Sequence, residues 1–386
     1  MKKFIAGGLA IVMTLALAAC GSTEGNGTTS LSIKEEALVI SEEPINVDEE
    51  ETKEEVDENV IPENSYRSEL TNEWISNDIK DQRPIAVMID NEKTALPHYG
   101  TSDADIVYEM VNSTQNGRIT RLMCIFKDWQ NVEQIGNIRS TRSTNCYIFN
   151  EYNAILLHDG GPYFIDEWLA YDNASDHLSG GFARIDRGKA NFYEEYATNE
   201  HYTGKGEYAG KSYSSVLERI EDAGYDLEYN DYYEGEHFTF SDEEFSLEDE
   251  TDAISASVIK PNFPHNASTL TYDSKKGVYV YSEYNDEYTD ALYDDERGLE
   301  FENVILYAAP LIEYGEGYMM YMGIGSTKYG YYCTNGYAVP IKWEKEDQAS
   351  ITRFYRLSDG KEITLNTGKT YIGLCPQDTW SDLVIK

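Results

Sequence analysis

Positive charge is scarce in this sequence: 31 Lys and Arg stand against 70 Asp and Glu, a formal net charge of −39. A nucleic-acid binder needs a basic footprint to displace counterions from phosphates, so no nucleic-acid partner is expected. Histidine is rare, at 6 residues, and none of Cys124, Cys146, Cys333 and Cys375 has a partner at zinc-knuckle spacing. No metal and no cofactor is expected. The acidic clusters Asn285-Asp286-Glu287 and Asp294-Asp295-Glu296 lack the calcium-loop pattern and read as solvated turns. There is no GxSxG elbow, no HExxH, no Walker loop and no cysteine with a histidine partner, so the reading leans away from an enzyme. In a chain this large, free buried thiols are favoured over any of the three possible disulfide pairings.

What is present begins with an address. Lys2 and Lys3 precede a compact apolar run from Phe4 to Ala16, and Leu17-Ala18-Ala19-Cys20 follows as a small-residue cleavage site ending in cysteine. The run is shorter than the roughly 20 residues of a membrane span. It reads as a lipoprotein signal over 1–20, with the mature chain starting at Cys20, acylated there (a palmitate-type lipid) and anchored on the outer face of a bacterial cell membrane. Residues 21–82 follow as an acidic tether. Between Lys34 and Glu63 the only basic residues are Lys34 and Lys53, and too little apolar surface exists to offset chain entropy.

From Pro84 onward roughly 300 residues remain, enough for two cores. The expected fold class is α+β, a mixed α/β N-terminal domain over 83–235 followed by a mostly β C-terminal domain over 236–386. Pro84–Asp90, Ala104–Glu109, Ile119–Phe126 and Ala154–His158 read as strands, Ser143 to about Asn150, Phe164–Tyr171 and Ser214–Ala223 as helices. In the second half, short runs such as Gly277–Tyr281, Asn303–Tyr307, Tyr337–Trp343 and Thr370–Leu374 alternate with turn clusters, the mark of a strand-rich domain.

The stretch IGNIRSTRSTNCYIFNEYNAILLHDGG over 135–161 concentrates what chemistry the chain offers. Arg139 and Arg142 fall in a strand-to-helix turn before Ser143, where guanidinium forks can hold carboxylate or phosphate bidentately. Arg121, on the strand 119–126, extends the set. His158 ends the next strand, and Gly160 and Gly161 let backbone approach closely. Two accounts stand open: an anion site built from Arg121, Arg139, Arg142 and Ser143, or structural ion pairs of these arginines with Glu109 and Asp90. A catalytic version casts His158 as acid or base, with Asp159 or Asp90 orienting it, on a phosphodiester or glycan substrate. A scaffold for partner proteins needs no site at all. His98, His177, His237 and His265 read as surface residues. The tyrosines suit either strand packing or a rim that stacks on sugar rings or docks a protein.

The ordered set RPIAVMIDN, ADIVYE, RITRLMCIF, IGNIRSTRS and ILLHDGG, with TNGYAVPIKWEK and ITRFYRLSDGKEITLNTGKTYI downstream, resembles the YerB-like bacterial lipoprotein family. The resemblance spans Arg83 to Pro376 and implies a two-domain extracytoplasmic lipoprotein of undefined biochemical activity. Its partners would be the membrane lipid and an anionic glycan, a phosphate-bearing ligand or an envelope protein. Family members tend to carry a Pro-His-Asn stretch after the arginine turn; the nearest stretch read here, Asn199-Glu-His-Tyr-Thr203, departs from it and leaves the role of His201 open. The anchor is directly testable. Cys20→Ser removes the thiol that acylation requires, so the variant should move from the membrane to the aqueous phase on detergent phase separation, and unchanged partitioning would refute the lipoprotein signal.

Overall fold

The computed structural model describes residues 61–386. The signal, Cys20 and most of the expected tether lie outside them. Residues 65–82, expected within the tether, are instead part of the fold. Ser65–Arg67 pairs with Trp74–Ser76, Leu70 and Thr71 are buried, and Glu69 forms an ion pair with the buried Lys127 at 2.6 Å. The apolar Leu70 and the need of Lys127 for a carboxylate fix this segment against the body despite its acidic context.

The apolar runs seen in the sequence assemble into one mixed sheet. Its strands are β1 (Ile85–Asp90), β2 (Ile106–Val111), β3 (Thr120–Phe126), β4 (Ile155–His158), β5 (His177–Ser179), β6 (Ile254–Ser255), β7 (Asn303–Ala309), β8 (Gly330–Thr334), β9 (Tyr337–Lys345) and β10 (Thr370–Pro376), in the order β6-β9-β8-β7-β10-β2-β3-β1-β4-β5. Gly325–Thr327 and Arg353–Arg356 pair alongside β9. β1 through β3 are buried on both faces, which is why they read as continuous apolar runs rather than alternations. β10, near the C-terminus, lies parallel to both β7 and β2, so strands from the two sequence halves join in a single sheet. Glu58–Lys386 is accordingly one compact unit.

Strand dominates. Among the described residues the α-helices are α1 (Ser143–Cys146), α2 (Asp166–Leu169) and α3 (Val216–Ala223). The helix expected from Ser143 to about Asn150 is one α-turn followed by a separate 3-10 turn, Phe149–Tyr152. Only α3 has both a serine cap, with Ser215 accepting from the Glu218 amide, and a left-handed Gly224 stop. Helix content this low does not carry the α/β description of the N-terminal half. Among the described residues Cys124, Cys146, Cys333 and Cys375 are free and buried.

On one face of β1–β3, Glu109 is fully buried and accepts hydrogen bonds from Thr120 at 2.8 Å, Ser268 at 2.7 Å, Tyr281 at 3.1 Å and Tyr371 at 2.8 Å. Ser268 and Tyr281 belong to a second sheet layer built on Val258–Lys260, Thr269–Asp273 and Val278–Glu283, which covers this face. Burial raises the Glu109 carboxyl and, together with the charge of Glu109, pushes Glu283 up to about 8. The folded state therefore holds the Glu283 proton more tightly than the unfolded chain does. The stability this contributes is complete in mild acid and is lost as pH rises towards 8. Glu283→Gln, neutral at every pH, should gain on the parent between about pH 5.5 and about pH 8.5 by on the order of 2–4 kcal/mol. Parallel unfolding-midpoint profiles for the two proteins would show that Glu283 does not titrate in this range.

Candidate functional site

The opposite face of the same strands carries the arginines. Asp90, the last residue of β1, sits directly across from Arg121 on β3, which also faces Met110 of β2. The chain after Gln134–Gly136 runs back beside β1, with the Asp90 amide bonded to the Asn137 carbonyl and the Arg139 amide to the Met88 carbonyl. The turn Arg139-Ser-Thr-Arg142 is then clipped to the loop after β4: the Asp159 amide donates to the Arg139 carbonyl and the Thr141 amide to the Gly160 carbonyl, both at 3.1 Å. A side chain on Gly161 would press on the Thr141 carbonyl and Ile165, and Gly160 holds φ +72°. The two glycines thus keep the arginine turn against β4.

Two guanidinium groups converge there on one carboxylate, with a third, that of Arg142, in the same turn. Arg139 Nε lies 2.7 Å from Asp90 Oδ2 and an Arg121 terminal nitrogen 3.8 Å from Oδ1, with Asp90 only 2 % exposed. Arg121 also donates to the Ser140 carbonyl at 2.7 Å. Arg142 donates to the Thr141 carbonyl at 2.7 Å and stacks 4.5 Å from the centre of the Tyr318 ring, while Arg139 covers Phe192 at 5.1 Å. No carboxylate of the described residues comes within 4 Å of Arg142, which is 8 % exposed. Burial, reinforced by the charge of Arg121, pulls its guanidinium down to about 9. Arg121 Nε, Arg142 Nε and Ser143 Oγ are all buried and without hydrogen-bond partners.

Asp90 is thus the counter-ion of Arg121 and Arg139, but Glu109 is not a partner of any of the three. Strand alternation places it on the other face, in the hydroxyl network described above. Nor does α1 supply a helix N-terminus of consequence, being a single turn whose Asn145 side chain already accepts from the Arg142 amide.

His158 turns away from the arginines. Its Nδ1–H donates to the Gly160 carbonyl at 2.8 Å, which leaves Nε2 to accept from Nδ1–H of His177 at 3.0 Å. Burial lowers His158 to about 4, so it is neutral. Asp159 does not orient it; that carboxylate pairs with Arg184 at 3.1 Å, and Arg184 also reaches Glu195 at 2.5 Å. Burial, with Asp159 beside it, pushes Glu195 up to about 8.

Several partners escaped sequence reasoning. Tyr318, Phe192 and His177 are separated from the residues they touch by 19 to 176 positions, and nothing local marks them. Two histidines taken for surface residues are buried: His98 lies between the Tyr288 hydroxyl and the Asp90 carbonyl, and His237 pairs with Glu151 at 2.8 Å. His177 and His265 are partly covered. The reading of the Pro-His-Asn stretch is also corrected. His201 is exposed, whereas the motif itself stands at Pro264-His265-Asn266, legible in the sequence and overlooked because it lies in the second half. Its Asn266 is fully buried, donating to the Asn91 carbonyl at 2.7 Å and accepting from the Thr120 amide at 3.1 Å.

Comparison with known proteins gives a consistent picture. Residues 70–213 match the family described as "Protein of unknown function (DUF3048) N-terminal domain", and residues 259–372 match the corresponding C-terminal domain. The Bacillus subtilis (strain 168) protein named "Putative lipoprotein YerB" is 24% identical over 301 residues, covering 77% of this chain and 82% of that protein. The crystal structure of YerB protein from Bacillus subtilis shares the fold, with a TM-score of 0.66 at 23% identity over 83% of this chain and 99% of that one. With both domain models matched in order, the chain belongs to the YerB-like two-domain family, whose function is undefined.

Proposed function

We propose that this protein is a lipid-anchored, extracytoplasmic lipoprotein that binds an anionic component of the cell envelope at Arg121, Arg139, Arg142 and Ser143. One observation carries the reading: the Arg142 guanidinium is buried with no carboxylate of the described residues within 4 Å, beside buried donors that have no partner among them. Elsewhere the chain matches its buried cations. Lys345 meets Glu151 at 2.9 Å, Lys127 meets Glu69 at 2.6 Å and Arg83 meets Asp176 at 2.6 Å. A buried charge left unpaired is costly to the fold, so an external anion is the natural counter-ion.

Phosphate or carboxylate fits the fork geometry of the donors. A sugar-bearing ligand is further supported by the aromatic rings that lead outward from Arg142. Tyr318 neighbours Phe164 at 6.0 Å, Phe164 neighbours Tyr314 at 4.7 Å, and Tyr163 is 80 % exposed. Binding rather than turnover is favoured because both nitrogens of His158 are engaged and no carboxylate orients it.

The test uses inorganic phosphate and glucose 1-phosphate as probes. Either should raise the unfolding midpoint of the parent in a concentration-dependent way. Arg142→Ala should weaken that binding by roughly 1.5–3 kcal/mol, the worth of a lost charge-assisted bond, and Arg142→Lys should recover part of it. Arg142→Met should make the ligand-free protein no less stable, since it removes an uncompensated buried charge. Arg139→Ala should behave oppositely and cost stability, because it removes the closer of the two cationic partners of the buried Asp90. A parent that neither anion stabilises, with Arg142→Met unfolding more easily than the parent, would refute the anion site.

A further inference from the structure

A cavity of about 250 Å³ lies away from the arginine cluster, where the two sequence halves and the C-terminal segment meet. Its main wall is the loop following the strand Val258–Lys260. Two buried asparagines fix this loop at its ends. Asn262 donates to the Pro376 carbonyl and to Thr379 Oγ1, both at 2.9 Å, and Asn266 is tied to the first half through Asn91 and Thr120. Between them Phe263 and Pro264 form an apolar wall, faced by Val384 from the C-terminal strand.

Three features describe what would fit. Asn262 is only 4 % exposed, and its Oδ1 is a buried acceptor without a partner, lining the cavity. The occupant should bring a donor, and an amide N–H is the matching group. At the rim stand two cations of different kinds. Arg118 is committed to Asp378 through two bonds, at 2.8 Å and 2.5 Å, whereas Lys260 is exposed and has no carboxylate within 4 Å among the described residues. Asp382 shares the rim but does not reach Lys260 within that distance. The volume is below the roughly 300 Å³ at which drug-sized ligand sites begin, so one or two residues of a peptide fill it.

We propose that this cavity binds the C-terminal end of a peptide. The last residue's amide N–H donates to Asn262 Oδ1, its apolar side chain packs on Phe263, Pro264 and Val384, and its carboxylate meets the Lys260 ammonium. The site is independent of the arginine cluster, which it neither shares residues with nor requires.

The probes are N-acetyl-alanyl-leucine with a free carboxylate and the same dipeptide as its C-terminal amide, titrated calorimetrically into the whole protein. The acid should bind with a dissociation constant below about 1 mM, the affinity of a few well-placed groups, and the amide at least fivefold more weakly. Lys260→Ala, at an exposed position, should erase that preference for the acid. Val384→Trp should fill the cavity and abolish binding of both probes while the unfolding midpoint stays near that of the parent. Arg142→Ala should leave both affinities unchanged, which separates this site from the anion site. No binding of the acid at millimolar concentration, equal affinity for acid and amide, or undiminished binding to Val384→Trp would each overturn the proposal. Should Val384→Trp fold poorly, Lys260→Ala alone decides between a recognised carboxylate and none.

Discussion

The buried carboxylate of Glu109 is the contact on which the arrangement depends. It sits at zero exposure inside an apolar sheet, where burial raises its carboxyl and the hydroxyls of Thr120, Ser268, Tyr281 and Tyr371 offset part of that cost. Three of those four donors come from 159 to 262 residues further along the chain. The residue is therefore satisfied only when the second layer has closed over β1–β3 and β10 has entered the sheet beside β2. Removing any one donor leaves part of a buried carboxyl group without a partner, so the network enforces one arrangement of the two halves more than it adds net stability.

Adjacent residues on β3 connect that network to the arginine cluster. Thr120 points to Glu109, and Arg121, one position on, points through the sheet to Asp90 and the Ser140 carbonyl. The period of a strand thus places an acidic hub on one face and a cationic cluster on the other, within a single residue step. Because Arg121 and Arg139 are already held by Asp90, little of their side-chain freedom would be left to lose in binding the proposed anion. Arg142, held by stacking on Tyr318 and by a backbone carbonyl, is the member of the cluster without a carboxylate within 4 Å among the described residues.

Much of this was readable and some was not, for identifiable reasons. Runs such as IAVMID and RLMCIF announce strands buried on both faces, and the spacing of Arg139 and Arg142 before Ser143 announces a basic turn; both are local facts. Whether Arg121 faces Glu109 or Asp90 depends on register across a strand pair, which the composition of either strand leaves open. The burial of His98 was missed because a lone histidine is ordinarily exposed, and its two buried partners, Tyr288 and the Asp90 carbonyl, are far from it or hidden in the backbone. The single sheet shared by both halves was equally invisible, since a parallel pairing of β10 with β2 leaves no trace in either segment. The short helices reflect a different limit: the polar pattern after Ser143 is compatible with a helix, but the Glu151 carboxylate is drawn instead to Lys345, His237 and Thr352, and the chain turns to deliver it.

The overall charge constrains how an anion could be recognised at all. At −39 the protein repels anions at long range, and at physiological ionic strength that field decays over roughly 8 Å. Electrostatic steering cannot be the means of capture. Recognition at the proposed site would have to come from contacts made inside the screening distance, from the three guanidinium groups and the buried serine hydroxyl. A small anion such as phosphate would gain only the charged contacts of the proposed site. An anion carried on a larger body would add contact with the rings of Phe164 and Tyr314. Tyr318 lies between those rings and Arg142, so the charged and the stacking parts of the surface meet at one side chain.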